Sequence, residues 1–185
     1  MCETYEDKNI SCAIIGRIEH AGKNIELKET IEKVIHTYIS KYKVTVFYYC
    51  MTKDLSCGEF LIELFNKYKD HELKLNAVIP YNELYSKFCD GDKKRYNYIL
   101  SKCNRIYDVH EPYYSRCYLV KKQFMMIHSK YIIIVQDKPD TAIEFSKELP
   151  NRVIALINPT NLEIEITLTY KDLLFDRISS FLKFM

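Results

Sequence analysis

Short apolar runs alternate with longer stretches of helical periodicity along most of the chain, and this restricts the fold more than any other feature. Residues 9–15, NISCAII, form an apolar run ended by Gly16, which predicts a buried first strand and a turn. Leu27, Ile31, Val34, Ile35 and Tyr38 recur at helical spacing, so 26–41 is a helix with its charges on the far side. The β-branched and aromatic residues of 44–49 predict a second strand. Phe60, Leu61, Leu64 and Phe65 place a helix over 57–68. Strand three is 74–79, stopped by Pro80, which cannot donate to a ladder. A short helix or loop at 81–88 and a helix over 93–103 lead to a fourth strand at 105–109. Helix 118–129, strand 131–136, helix 141–148 and strand 152–158 complete the alternation. Short strands separated by such helices predict a three-layer Rossmann-like α/β fold, its sheet mostly parallel with helices on both faces.

After Pro159 the period changes. Leu162, Ile164, Ile166 and Leu168 alternate with polar residues, as in an edge strand with one wet face. Residues 170–185 then carry Leu173, Leu174, Ile178, Phe181 and Leu182 on one helical face, available to the sheet or to a second subunit. The expected organisation is one domain over 1–185, with a core at about 10–158 and a C-terminal strand and helix at 159–185. At 185 residues a chain buries about 70% of its unfolded surface, enough for a full core.

Composition removes several functional classes. The longest apolar run, 131–135, is far short of the roughly 20 residues that span a bilayer, and the polar N-terminus lacks the pattern of a secretory signal, so a cytoplasmic location is expected and no membrane partner. Seven cysteines, an odd number without a CxxC pair, suggest reduced core thiols rather than zinc or disulfides. A net charge of +2, with acids and bases interspersed, argues against nucleic acid as a partner.

In an open doubly wound sheet, ligands sit beyond the carboxyl ends of the strands. The turn after strand two should then be the phosphate cradle, yet VTVFYYCMTKDLSCGEFLIEL at 44–64 has no glycine in that turn. Four glycines in 185 residues is about 2%, against about 7% in ordinary chains. Tyr49, Met51 and Thr52 each add a Cβ where backbone amides would touch phosphate, so the loop should take another path. Asp54 reads equally as a helix cap and as a ribose contact, and Ser56 could cap the same helix. Glu59 reads either as a cleft carboxylate or as a solvent-facing acid in a first helical turn. Arg17 suits an anion or a local surface pair. Tyr81, Tyr113, Tyr114 and Arg116 could meet a base and phosphate, and Lys121 with Lys122 makes a locally positive site. His20, His128, Cys50 and Cys57 lack a partner at motif spacing, which leaves no case for a thiol or histidine catalyst.

The order of these motifs resembles the YpsA-like branch of the SLOG superfamily, the Rossmann-like group that includes the LOG phosphoribohydrolases and the DprA DNA-processing protein. The likeness covers about residues 10–158. Against the family's Gly-His-Arg stand Gly16, Arg17 and, displaced, His20. Tyr49 to Lys53 replace its Gly-rich stretch, Asp54 falls on its acidic position, and Cys57, Gly58 and Glu59 fall on Ala-Ala-Glu. IPY at 79–81, YNYIL at 96–100 and EPYYSRC at 111–117 follow the pattern closely. Lys121, Lys122, Gln123 and Phe124 match a basic aromatic helix in part, and of a final Gly-Gly-Thr turn only Thr141 is kept.

The resemblance implies a nucleotide-derived small molecule bound by Gly16, Arg17, Tyr49, Asp54, Glu59, Tyr81, Tyr113, Arg116, Lys121 and Thr141, with no cofactor or metal. The degenerate cradle favours a ligand-binding or sensor module without catalysis. One alternative is a LOG-like N-glycosidic hydrolase in which Glu59 is the catalytic carboxylate. Another is an interaction scaffold. The cleft beyond strands one, two and five is expected to be the only substantial polar pocket, with Arg17 and Glu59 opening into it. A homo-oligomer is also expected, joined through Phe60, Leu64 and Phe65 or through Ile178, Phe181 and Leu182.

Overall fold

The computed structural model describes residues 8–16, 24–108, 112–137 and 141–169. Arg17, His20 and the 170–185 stripe lie outside them. The order is β1 (Ser11–Gly16), α1 (Ile25–Tyr42), β2 (Val46–Cys50), α2 (Ser56–Lys67), β3 (Lys74–Ile79), α3 (Asp90–Lys102), β4 (Arg105–Asp108), α4 (Cys117–Ile127), β5 (Tyr131–Val135), α5 (Thr141–Glu148), β6 (Arg152–Ile157) and β7 (Ile164–Thr169). Short 3₁₀ turns at Lys69–His71 and Asn82–Lys87 precede β3 and α3.

Together the strands make one seven-stranded sheet in the order β4-β3-β2-β1-β5-β6-β7, parallel except for β7, which runs antiparallel to β6. The fold is the expected three-layer Rossmann-like arrangement. Successive residues of each strand feed opposite layers. Ile14, Phe47, Tyr49 and Ile133 pack with Leu27, Ile31 and Leu61 of α1 and α2, whereas Ala13, Tyr48, Ile132 and Ile134 pack with Met125, Met126 and Ile143 of α4 and α5. Right-handed crossovers account for the split: connections running one way from β1 put their helices on one face, and those running the other way use the second. The direction reverses between β1 and β5.

Local chemistry sets the ends of α1. Asn24 caps it by accepting from the Leu27 N–H at 3.1 Å. Lys43, at φ 58°, closes it, and the Val44 N–H returns to the Tyr38 carbonyl at 3.1 Å, a Schellman-type end.

Two expectations change. The α2 stripe is ordinary core: Phe60 and Leu64 are buried, and Phe65 rests on Phe47 with ring centroids 5.0 Å apart. Strand β7 is an edge, yet its apolar residues Ile164, Ile166 and Leu168 are exposed, while Thr167 and Thr169 are half-buried. In the register Ile164, Ile166 and Leu168 stand beside Ile157, Ala155 and Val153, on the α1 side of the sheet. The first three helices follow strands that run away from β7 in the sheet, which places them over its other half. Among the described residues no helix is long and apolar enough to cross a membrane.

Candidate functional site

A cleft of about 850 Å³ opens at the carboxyl ends of the strands, where the sheet order reverses. Gly16 ends β1, Thr52, Lys53 and Asp54 follow β2, Tyr81 follows β3 and Gln136 follows β5; Lys87, Tyr113, Tyr118 and Lys122 close the remaining side. Gly16 sits at φ 107°, a region that glycine tolerates. A Cβ there would overlap the Val135 carbonyl oxygen, so glycine lets the ends of β1 and β5 meet at the floor of the cleft.

The turn after β2 does take a different path from a glycine-rich cradle. Non-glycine left-handed residues among those described are Lys43, Glu72, Asn151 and Leu162, none of them in this turn. Met51 is buried and its N–H bonds the Val78 carbonyl at 2.9 Å. The Thr52 hydroxyl donates to the Asp54 carbonyl at 2.8 Å, and Asp54 Oδ1 accepts the Ser56 N–H at 2.9 Å. Asp54 therefore turns onto the first residue of α2 from outside the helix, whose N-cap position is Leu55 without a side-chain cap bond, and Ser56 stands inside the helix rather than capping it. The Asp54 carboxylate fills the start of α2, where other nucleotide folds seat a phosphate.

Charge in the cleft comes from Lys53, Lys87 and Lys122, against one carboxylate, Asp54, among the described lining residues. The aromatic wall is a T-shaped set. Tyr81 lies 5.0 Å from Tyr113 at 78° and 6.0 Å from Tyr118 at 84°. Burial, together with a hydrogen bond to Tyr81, pushes the Tyr118 hydroxyl above the ordinary tyrosine range. The Tyr113 N–H donates to Glu83 at 3.2 Å, which ties this loop to the turn before α3.

Of the expected site residues, Gly16, Asp54, Tyr81 and Tyr113 come together here. Others do not. Tyr49 is 1% exposed and points under α2, its hydroxyl 3.8 Å from the Met51 sulfur. Glu59 lies outside the cleft lining, held by Arg95 of α3 through two bonds of 2.7 Å. Arg116 and Thr141 are exposed outside the lining, and Arg17 lies outside the described residues. Lys121 is buried, because Cys117, Lys121 and Met125 share the inward face of α4. Tyr118 and Lys122, four apart, share the adjacent face that meets the cleft. That phase was readable from the apolar stripe; Lys87 and Gln136 had no comparable signal.

Nor is the cleft alone in size. A second hollow of about 770 Å³ lies beside β5, β6 and β7 and shares Gln136 with it. Cys50 gives no nucleophile: burial pushes its thiol up to about 12 against the opposing pull of Lys122 and Lys121. Among the described residues no group of three or more His, Cys, Asp or Glu could hold a metal ion.

A parallel α/β sheet with a basic, tyrosine-walled cleft at its switch point defines a Rossmann-like module of the nucleotide-related kind. The model of the YspA SLOG family matches residues 18–151, most of the chain, in agreement with the YpsA-like order of motifs. The chain belongs to that family. No curated protein matches it.

Proposed function

We propose that this protein binds a nucleotide-derived small molecule in the switch-point cleft and does not turn it over. The observation that carries this reading is the division of charge: three lysines and a tyrosine cluster face the cleft, while Asp54 accepts the Ser56 N–H at the start of α2 and Glu59 is paired with Arg95. A glycosidic hydrolase needs a carboxylate beside the scissile bond to stabilise positive charge or activate water. The engagement of both acids in other contacts supports the reading without turnover. Phosphate is held by Lys53, Lys87 and Lys122 rather than by backbone amides, and the exposed face of Tyr113 stacks on the base.

Calorimetric titration with adenosine, AMP and ADP tests this. Affinity is expected to rise with phosphate count and to fall with salt, and Lys122→Ala or Lys53→Ala to lose about tenfold, as for a hydrogen bond to a charged group. Equal binding of adenosine and ADP would overturn the phosphate assignment. Release of free base at an enzyme-like rate, abolished by Glu59→Gln, would promote the hydrolase.

A further inference from the structure

The sheet ends on β7, and among the described residues no strand pairs with its outer edge. Which backbone groups that edge presents follows from the ladder. The Asn158 N–H donates to the Glu163 carbonyl at 3.0 Å, whereas the neighbouring Ile157 carbonyl and Val153 N–H are turned to the β5 side, bonded to Gln136 and Lys130. Rungs of an antiparallel pair alternate, so Glu163, Glu165 and Thr167 face β6. The N–H and C=O groups of Ile164, Ile166 and Leu168 therefore point outward.

Folded chains usually blunt such an edge with lysine, proline or a bulge. This one has none of them: IEITLT lacks both residues, and its register with β6 runs unbroken from Ile164 to Thr169. The same three residues carry the apolar side chains, and Ile164, Ile166 and Leu168 are 42%, 62% and 51% exposed on the α1 side. Single exposed apolar residues are ordinary. Three in one row beside six outward backbone groups make a template for another strand.

We propose that the strand it takes is β7 of a second copy of this chain, antiparallel and centred on Ile166. The sequence is its own complement in that register. Ile166 stands opposite its copy, Ile164 opposite Leu168, and Glu165 opposite Thr167, so a hydroxyl meets each carboxylate as it already does within one chain, where Thr167 donates to Glu165 at 3.4 Å. All six outward groups pair, and the two apolar rows join on one face. A register centred on Glu165 would oppose two carboxylates, which is unfavourable. One centred on Thr167 would carry Ile164 past the end of the partner's strand. The contact is isologous and closes at two copies. It rests on β7 alone and is independent of the nucleotide reading. An edge of six residues falls below the roughly 1,200 Å² of a standard interface, so the pair is a transient one.

Light scattering on the full-length protein from about 10 to 500 μM, the range suited to a small interface, tests this. The mass is expected to rise toward that of a dimer. Ile166→Pro removes only an outward N–H, which proline permits on an edge strand, and should weaken pairing by about tenfold or more. Ile166→Lys places two ammonium groups opposite each other and decides the matter if circular dichroism shows that the proline variant does not fold. In Ile166→Cys the paired positions stand about 5.5 Å apart between Cα atoms, within disulfide reach, so diamide should join position 166 to its copy in the peptide map. A wild-type monomer throughout would mean that the edge is covered by residues 170–185 or left open, and would overturn the proposal. A dimer that both substitutions leave intact would place the interface elsewhere and overturn it as well.

Discussion

Replacing Gly16 with alanine probes the contact on which the cleft rests. Its φ of 107° is costly for an L-residue, about 1–3 kcal/mol. The new Cβ would overlap the Val135 carbonyl oxygen and stand 2.9 Å from its carbon. Neither can rotate away, because Val135 is the ladder partner of Gly16 between β1 and β5. Relief requires the strand ends to part, with loss of a ladder bond that contributes about 1 kcal/mol. The expected loss is about 2–4 kcal/mol, a large share of the roughly 5–15 kcal/mol that holds a domain together. Two other glycines calibrate the result. At Gly91 the nearest atom to a new Cβ is Cys89 Sγ at 4.0 Å, and alanine should stabilise the first turn of α3 by about 0.5–1 kcal/mol. At Gly58 a Cβ would meet Ile99 Cγ2 and the Tyr49 hydroxyl, each at 3.0 Å, so about 1–3 kcal/mol of overpacking between α2 and α3 outweighs the helical gain. Urea unfolding followed by far-ultraviolet circular dichroism suits a chain without tryptophan. Gly16→Ala within about 0.5 kcal/mol of wild type, the range of an ordinary surface change, would refute the reasoning.

Glu59→Gln should lower stability by no more than about 1 kcal/mol, since the Arg95 pair is solvent-exposed, and should leave ligand affinity unchanged; calorimetry on the variant checks both. Phe65→Ala should cost about 2–4 kcal/mol through lost packing on Phe47 and leave the solution mass as in wild type, measured by light scattering. Stability should fall as pH rises above about 9, because burial raises the Cys50 thiol to about 12 and Tyr96 to about 12 in the folded chain. The unfolded chain then releases those protons first, which favours it. Urea midpoints at neutral and alkaline pH should show a shallower decline in Cys50→Ala, and an unchanged slope would rule out that thiol.

Some of this protein was legible in its residues because the responsible forces are local. Strand and helix periods located β3 and α5 to the residue and most other elements within a few positions, since side-chain alternation and the 3.6-residue turn depend only on near neighbours. The absence of glycine after β2 foretold that this turn would avoid left-handed backbone, because a Cβ carries that penalty wherever it occurs. Gly16, Asp54, Tyr81 and Tyr113 could be placed at the cleft because the switch-point rule depends on strand order alone. Tertiary structure decided the rest. Glu59 had the right position in sequence, but Arg95, 36 residues away, holds it outside the cleft lining. The apolar stripe of α4 separates the faces of Lys121 and Lys122, but only the seating of the helix brings the face of Lys122 to the cleft. The alternation of β7 marked an edge strand. Its apolar row is nonetheless the exposed one because the first three helices lie over the other half of the sheet, and long-range placement of that kind leaves no local trace.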